Sequence, residues 1–117
     1  MTPIFQFEGI YTPIVTPLLP DGSFNRDGLA DQVEHLIGAG VHGIISGGST
    51  GENYAQTVEQ RLDLAQFTKD RIKGRLPLIV GTGTMRTEDS IALANGAREM
   101  GADAILLATP PYAVPTE

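Results

Sequence analysis

Four short apolar runs recur about every 30 residues, and the first three are each followed by a stretch with helical spacing. The runs are continuous rather than alternating, as in strands buried on both faces. Together these observations predict an α/β chain, β-α-β-α-β-α-β, with a parallel sheet covered by helices. A third observation chooses the closure. Every run ends in small or polar residues: Thr16-Pro17, Gly47 to Glu52, Gly81 to Thr84, and Thr109 to Tyr112. Parallel α/β folds place their chemistry at the carboxyl ends of strands. Four marked ends suggest a shared mouth, so the prediction is a (β/α)8 TIM barrel of which this chain supplies roughly the first four βα units. A doubly wound sheet, which gathers its signal at one switch point, is the alternative.

The elements follow in order. "GIYTPIV" (9–15) is rich in β-formers and ends at Thr16-Pro17, and "LPDGSF" (19–24) is a turn built on Asp21-Gly22. Asn25 caps a helix whose stripe is Leu29, Val33, Leu36 and Ile37, stopped by Gly38 and Gly40. "VHGIIS" (41–46) is a buried strand, followed by the loop "GGSTGE" (47–52). Thr57 and Gln60 form a capping box opening a helix that should bury Val58, Leu62, Ala65 and Ile72 and end near Lys73-Gly74. "LPLIVGTG" (76–83) is the third strand. Thr87, with Glu88 and Asp89 in a first turn that suits acids, opens a helix to about Met100. "ADAILLA" (102–108) is the fourth strand. "GAGVHGII" (38–45) and "EMGADAIL" (99–106) echo one another as helix end, glycine, strand, which suits a repetitive βα fold.

With 117 residues, 41% of them apolar, the chain is sized for one small domain with a real core. A net charge of −6 argues against a nucleic-acid surface, yet leaves room for a locally positive site that holds a small anion. The absence of cysteine excludes disulfides, thiolate nucleophiles and Cys-zinc sites. No segment has the ~18 apolar residues of a membrane span, and "MTPIFQFEGI" has no basic start or long apolar run. A soluble, cytoplasmic protein is expected.

The densest chemistry lies in "ISGGSTGENY" (45–54). Small residues after a strand let backbone N–H groups approach a ligand oxygen, and Ser49 and Thr50 add hydroxyls. No G-x-x-x-x-G-K-[ST] is present, and in "GTGTMR" (81–86) Arg86 stands where a dinucleotide loop needs its third glycine. A carboxylate is therefore a better ligand than a phosphate. A tight turn whose Ser and Thr satisfy their own backbone remains an equal reading of this motif alone.

Taken together, "TP" (16–17), "GGSTGE" (47–52), "GTG" (81–83) and "TPPY" (109–112) resemble the dihydrodipicolinate synthase / N-acetylneuraminate lyase family of pyruvate-handling (β/α)8-barrel aldolases. The similarity runs from about Gly9 to the end, in the family's order and spacing. The resemblance implies that Ser49 and Thr50 hold the pyruvate carboxylate with backbone N–H help. It implies a hydroxyl proton relay from Ser49 to Tyr112, which in the synthases often comes from the neighbouring subunit. It implies a homo-oligomer, a homotetramer, acting on pyruvate and an aldehyde or sugar-acid co-substrate, with no metal and no diffusible cofactor. The family usually has an aromatic pair at the "TPPY" site, and Pro111 replaces its first member. "GGSTGE" leans toward the lyases, since many synthases carry two threonines there.

The family's chemistry runs through a Schiff-base lysine late in the barrel. The chain has only Lys69 and Lys73, both at the end of the second helix, where a solvated terminus complementing the dipole is expected. "VPTE" reads as the opening of another helix, and a barrel needs about 250 residues. The expectation is an N-terminal part of a single catalytic domain, covering residues 1–117, inactive alone. The rivals are a non-catalytic βα domain that binds a small carboxylate, and a flavodoxin-like sheet that binds phosphate. His35 and His42 are read as surface or core-edge residues, Glu52 as a cap for the next segment, and Arg86 as a surface residue opening a helix. Tyr11 and Tyr54 are given no role.

Overall fold

The computed structural model describes residues 5–110. Seven elements follow the predicted order: β1 (Tyr11–Pro13), α1 (Arg26–Gly38), β2 (Gly43–Ser46), α2 (Val58–Ile72), β3 (Leu78–Gly81), α3 (Thr87–Glu99) and β4 (Ala104–Leu106). The strands make one sheet in the order β1-β2-β3-β4, every pair parallel. A doubly wound sheet reverses its strand order at a switch point, and the order of these four shows no reversal. Sequential order with a helix after each strand is the barrel arrangement. The segments "TPPY" beyond Pro110 and "VPTE" lie outside the described residues.

Local chemistry explains the boundaries. The Asn25 side chain accepts from the Gly28 N–H and starts α1, which ends at Gly38. Thr57 and Gln60 form the predicted capping box in both directions. Lys73 ends α2 in the left-handed conformation, its N–H bonded to the Lys69 carbonyl. The Asp21 turn is closed by the Ser23 N–H and hydroxyl, both donating to the Asp21 carboxylate, which holds that carboxyl below its ordinary range. Strands β1 and β4 are shorter than the runs 9–15 and 102–108 suggest. The ladder nevertheless continues past β1, with the Ile14 N–H on the Ile45 carbonyl.

The core lies between the sheet and the helices. Leu29, Val33, Ile44, Ile72, Leu78 and Val80 are almost fully buried. Each such side chain contributes about 1.5–3 kcal/mol relative to exposure. The stripe predicted for α2 needs correction. Its buried residues are Arg61, Leu64, Ala65, Thr68 and Ile72, while Val58 and Leu62 are only partly covered. Leu62 instead lies over Gly96 of α3, where an added Cβ would collide with it. The inward stripe contains an arginine and a threonine, so its apolar periodicity is broken. The Thr68 hydroxyl is satisfied by the Leu64 carbonyl one turn back, at 2.7 Å.

The foot of the sheet, at the amino ends of the strands, has its own fastenings. Asp103 accepts from the Leu78 N–H and pairs with Lys69 at 3.6 Å. His42 Nδ1 accepts from the Ile10 N–H at 2.9 Å. Phe5, Phe7 and Tyr11 pack together, with the Tyr11 ring over Gly43. Lys69 is thus an ion-paired residue rather than a solvated helix terminus. His42 sits at the strand start, away from the mouth, as expected. Among the described residues, no helix is long and apolar enough to cross a membrane, and no His, Cys, Asp and Glu cluster fits a metal.

Replacing Thr57 by Ala should lower unfolding free energy by about 1 kcal/mol, and Thr57→Ser should restore most of it. Urea unfolding followed by circular dichroism measures both.

Candidate functional site

The carboxyl ends of β1, β2 and β3 meet at one edge of the sheet. After Ser46 the chain turns at Gly47, whose φ of 76° is open to glycine and strained for other residues. Gly81 ends β3 beside it. A Cβ on Gly81 would fall on the Gly47 carbonyl oxygen, so only glycine lets the two backbones come this close. The loop then makes two short 3-10 turns, Ser49–Gly51 and Asn53–Ala55, joined by Glu52 at φ 57°.

Three side chains from two segments fasten this loop. The Thr16 hydroxyl, after β1, donates to the Gly51 carbonyl at 2.7 Å. Gln56 Nε2 donates to the same carbonyl at 2.8 Å and to Thr16 Oγ1 at 3.2 Å. Asn53 Nδ2 donates to the Gly47 carbonyl at 2.9 Å. Gly51 is buried, and a Cβ there would meet the Ile14 carbonyl at 3.0 Å. The loop is rigidly wired from below, with its crest free.

That crest carries the predicted residues. Ser49 and Thr50 are both exposed, and among the described residues neither hydroxyl makes a hydrogen bond. The backbone N–H groups of Gly48, Ser49 and Thr50 likewise donate to no acceptor among the described residues. Two hydroxyls and three successive amides are therefore available to an anionic oxygen. The alternative of a turn whose Ser and Thr satisfy their own backbone is not what the geometry shows. Tyr112, the predicted relay partner, lies outside the described residues.

The loop's firmest anchor is a residue that sequence reasoning missed. Arg61, fourth in α2, is 4% exposed. Its Nη2 donates to the Gly81 carbonyl at 2.7 Å and the Gly47 carbonyl at 3.2 Å, and Nη1 donates to the Gly83 carbonyl at 3.0 Å. Burial pushes its pKa below the ordinary arginine value, yet guanidinium stays protonated in proteins. Thr82, between the Gly81 and Gly83 carbonyls, is fully buried, and its hydroxyl has no partner among the described residues.

The lesser candidates also resolve. Glu52 caps nothing with its side chain, contrary to expectation, because its carboxylate is exposed while Asn53 ties the loop instead. Arg86 is an exposed residue ahead of α3, near Glu88 and Asp89, as expected. Tyr54 is exposed near the crest, and Tyr11 packs at the foot. Shallow grooves between the helices, one lined by Leu62, Asp63 and Gly96, are set apart from the strand ends.

A parallel βα sheet in sequential order, with its glycine-rich loops gathered at the strands' carboxyl ends, defines a fold class, the (β/α) barrel. The profile of the Dihydrodipicolinate synthetase family matches residues 6–117, and this chain belongs to that family. It is 33% identical over 112 residues to the 4-hydroxy-tetrahydrodipicolinate synthase of Methanospirillum hungatei, a match covering 94% of this chain and 38% of that protein. The synthase of Thioalkalivibrio sulfidiphilus is 39% identical, with 96% of this chain and 38% of that protein covered. Among solved structures, YagE of E. coli K12, a prophage protein of the dihydrodipicolinic acid synthase family in complex with pyruvate, superposes with a TM-score of 0.90 at 34% identity. That match covers 94% of this chain and 37% of YagE. CdNal of Clostridium difficile, in complex with mannosamine, gives a TM-score of 0.90 at 28% identity over 96% of this chain and 39% of CdNal. The chain thus spans a little under two-fifths of the length of these relatives, with the fold of the N-terminal portion of their TIM barrel.

Gly81→Ala should cost about 3 kcal/mol of stability by forcing the Gly47 peptide aside, whereas Gly83→Ala, facing only a 3.1 Å approach to the Ala108 N–H, should cost about 1 kcal/mol. Chemical denaturation of the two variants side by side tests the difference.

Proposed function

We propose that this chain is the pyruvate-recognising, N-terminal part of a single barrel catalytic domain in a Schiff-base aldolase or lyase, which makes or breaks a carbon–carbon bond to pyruvate. The observation that carries the reading is the crest of the 47–52 loop, with two hydroxyls and three amides free of acceptors at the mouth of the sheet. The same fold in YagE is seen with pyruvate, which supports a pyruvate ligand here. Ser49, Thr50 and the Gly48–Thr50 amides hold the carboxylate. Ser49 and Tyr112 pass the proton that must move as the bond forms or breaks.

In this reading a lysine amine attacks C2 of pyruvate, or of the longer 2-oxo acid to be cleaved, and water leaves; the pyruvate iminium loses a C3 proton to become a nucleophilic enamine, while the longer acid's iminium accepts the electrons of the breaking bond. Neither lysine of this chain suits that step. Lys69 is paired with Asp103 at the foot of the sheet, and Lys73 ends α2. The amine is therefore supplied by residues outside these 117, and the chain alone should not turn over. The co-substrate is an aldehyde or a sugar acid, the working protein is a cytoplasmic homo-oligomer, and neither metal nor diffusible cofactor takes part. The placement of both lysines also favours a second reading, a non-catalytic domain that binds a small carboxylate.

Two measurements separate these. Pyruvate should shift the amide resonances of residues 48–52, and Ser49→Ala should weaken binding about tenfold. No shift in that loop would remove the carboxylate assignment from both readings. Borohydride with pyruvate should then leave a reduced adduct on the working protein at a lysine other than Lys69 or Lys73. Binding without any adduct would leave the non-catalytic reading standing.

A further inference from the structure

The least expected group in the molecule is the Arg61 guanidinium. Arg26, Arg71, Arg75 and Arg86 each pair with a carboxylate, whereas Arg61 is buried with no carboxylate in range among the described residues. Its neighbours are three backbone carbonyls, and its Nε is buried and has no partner among the described residues. Carbonyl dipoles solvate a cation without cancelling its charge. A buried cation left in this state is normally costly, and it favours an anion nearby.

We propose that Arg61 is a positioning residue for the anionic substrate, fixing the carboxylate cradle and supplying the positive charge beneath it without touching the ligand. The inference rests on the carboxylate reading given above. Its geometry follows from the peptide plane. Every described peptide is trans, and a trans peptide holds its C=O and N–H antiparallel. Arg61 draws the Gly47 carbonyl toward α2, so the Gly48 N–H faces the other way, as the first of the three free amides on the crest. The Gly81 and Gly83 carbonyls are drawn to the same guanidinium, so oxygen lone pairs that would repel a carboxylate are turned from the mouth. One side chain thereby converts a glycine-rich rim with both donors and acceptors into one that presents donors. An arginine is needed because a planar fork reaches three carbonyls, while an ammonium is a compact point charge. The overall charge of −6 makes such a local source of positive potential necessary for an anionic ligand.

The test compares wild-type chain with Arg61→Met and Arg61→Lys, using pyruvate and its neutral analogue pyruvamide as probes. Arg61→Met should weaken pyruvate about tenfold and change pyruvamide by less than about twofold. Arg61→Lys should recover most of the preference for the charged ligand. In both variants, without ligand, the amides of Gly51, Glu52 and Asn53, which are bonded to carbonyls within the loop, should exchange faster than in wild type, while those of α1 stay protected. Equal losses for pyruvate and pyruvamide would reduce Arg61 to a purely structural staple and overturn the electrostatic role. Unchanged loop exchange would overturn the positioning role. If Arg61→Met does not fold, Arg61→Lys carries both comparisons, because loss of loop protection with charge preference retained is expected of it alone. Wild-type chain that binds pyruvate no better than pyruvamide would sink the carboxylate reading and the charge role together, and loop exchange would still decide the positioning role.

Discussion

Everything at the mouth of this sheet depends on a close approach of two backbones held by one cation. The ends of β2 and β3 converge at Gly47 and Gly81, where even a methyl group would strike a carbonyl. Packing alone would press two carbonyl-bearing turns together without neutralising their dipoles. Arg61 answers this by directing both carbonyls, and that of Gly83, onto one guanidinium. Desolvating a full charge costs several kcal/mol, which three charge-assisted bonds of about 1.5–3 kcal/mol each can offset. The glycines and the arginine form a single device, since a bulkier residue at 47 or 81 would move the acceptors and strand the charge.

The rest of the loop is wired to that device by neutral groups. Asn53 shares the Gly47 carbonyl with Arg61. Gln56 and Thr16 share the Gly51 carbonyl and bind each other, joining the segment after β1 to the loop after β2. Shared acceptors make the network cooperative, because displacing one donor shifts an oxygen that another donor needs. All these bonds run below the crest, so Ser49 and Thr50 stay exposed on a backbone that cannot yield to them. A binding loop gains affinity from such preorganisation, because little ordering remains to be done when ligand arrives.

The fold was legible because its signals are periodic and local. Strand runs recur at a steady interval, and the Asn25 cap, the Thr57–Gln60 box and the Asp21 turn each depend on residues within four positions of one another. The loop's place after β2 was legible too, since glycines and hydroxyls following an apolar run mark a strand end, but its ligand was not, because the same residues also build ordinary tight turns. Arg61 was not legible, because a charged residue is assigned to solvent by default, and its acceptors lie 14 to 22 residues away. A signal existed in retrospect. Residues 61, 65, 68 and 72 follow helical spacing, and three of the four are residues a core accepts readily. Glu52 misled for the converse reason: a carboxylate near a turn is a common cap, and only the left-handed backbone there turns it outward.

The two ends of the sheet divide stability from chemistry, and that division constrains the mechanism. At the foot, Lys69, Asp103 and the Leu78 N–H form a closed group, and the aromatic cluster of Phe5, Phe7 and Tyr11 covers Gly43. At the mouth, donors are left over. From Leu78 to Gly81 the strand rises about 10 Å, and Lys69 is tied to the residue that bonds the lower end of it. A lysine side chain extends only about 6 Å from its Cα, and leaving Asp103 would strand a carboxylate that also holds β3 in place. If pyruvate sits at Ser49 and Thr50, the amine that attacks it must approach from strands other than these four. Under the proposed function, then, these four strands serve to recognise the anion rather than to supply the nucleophile.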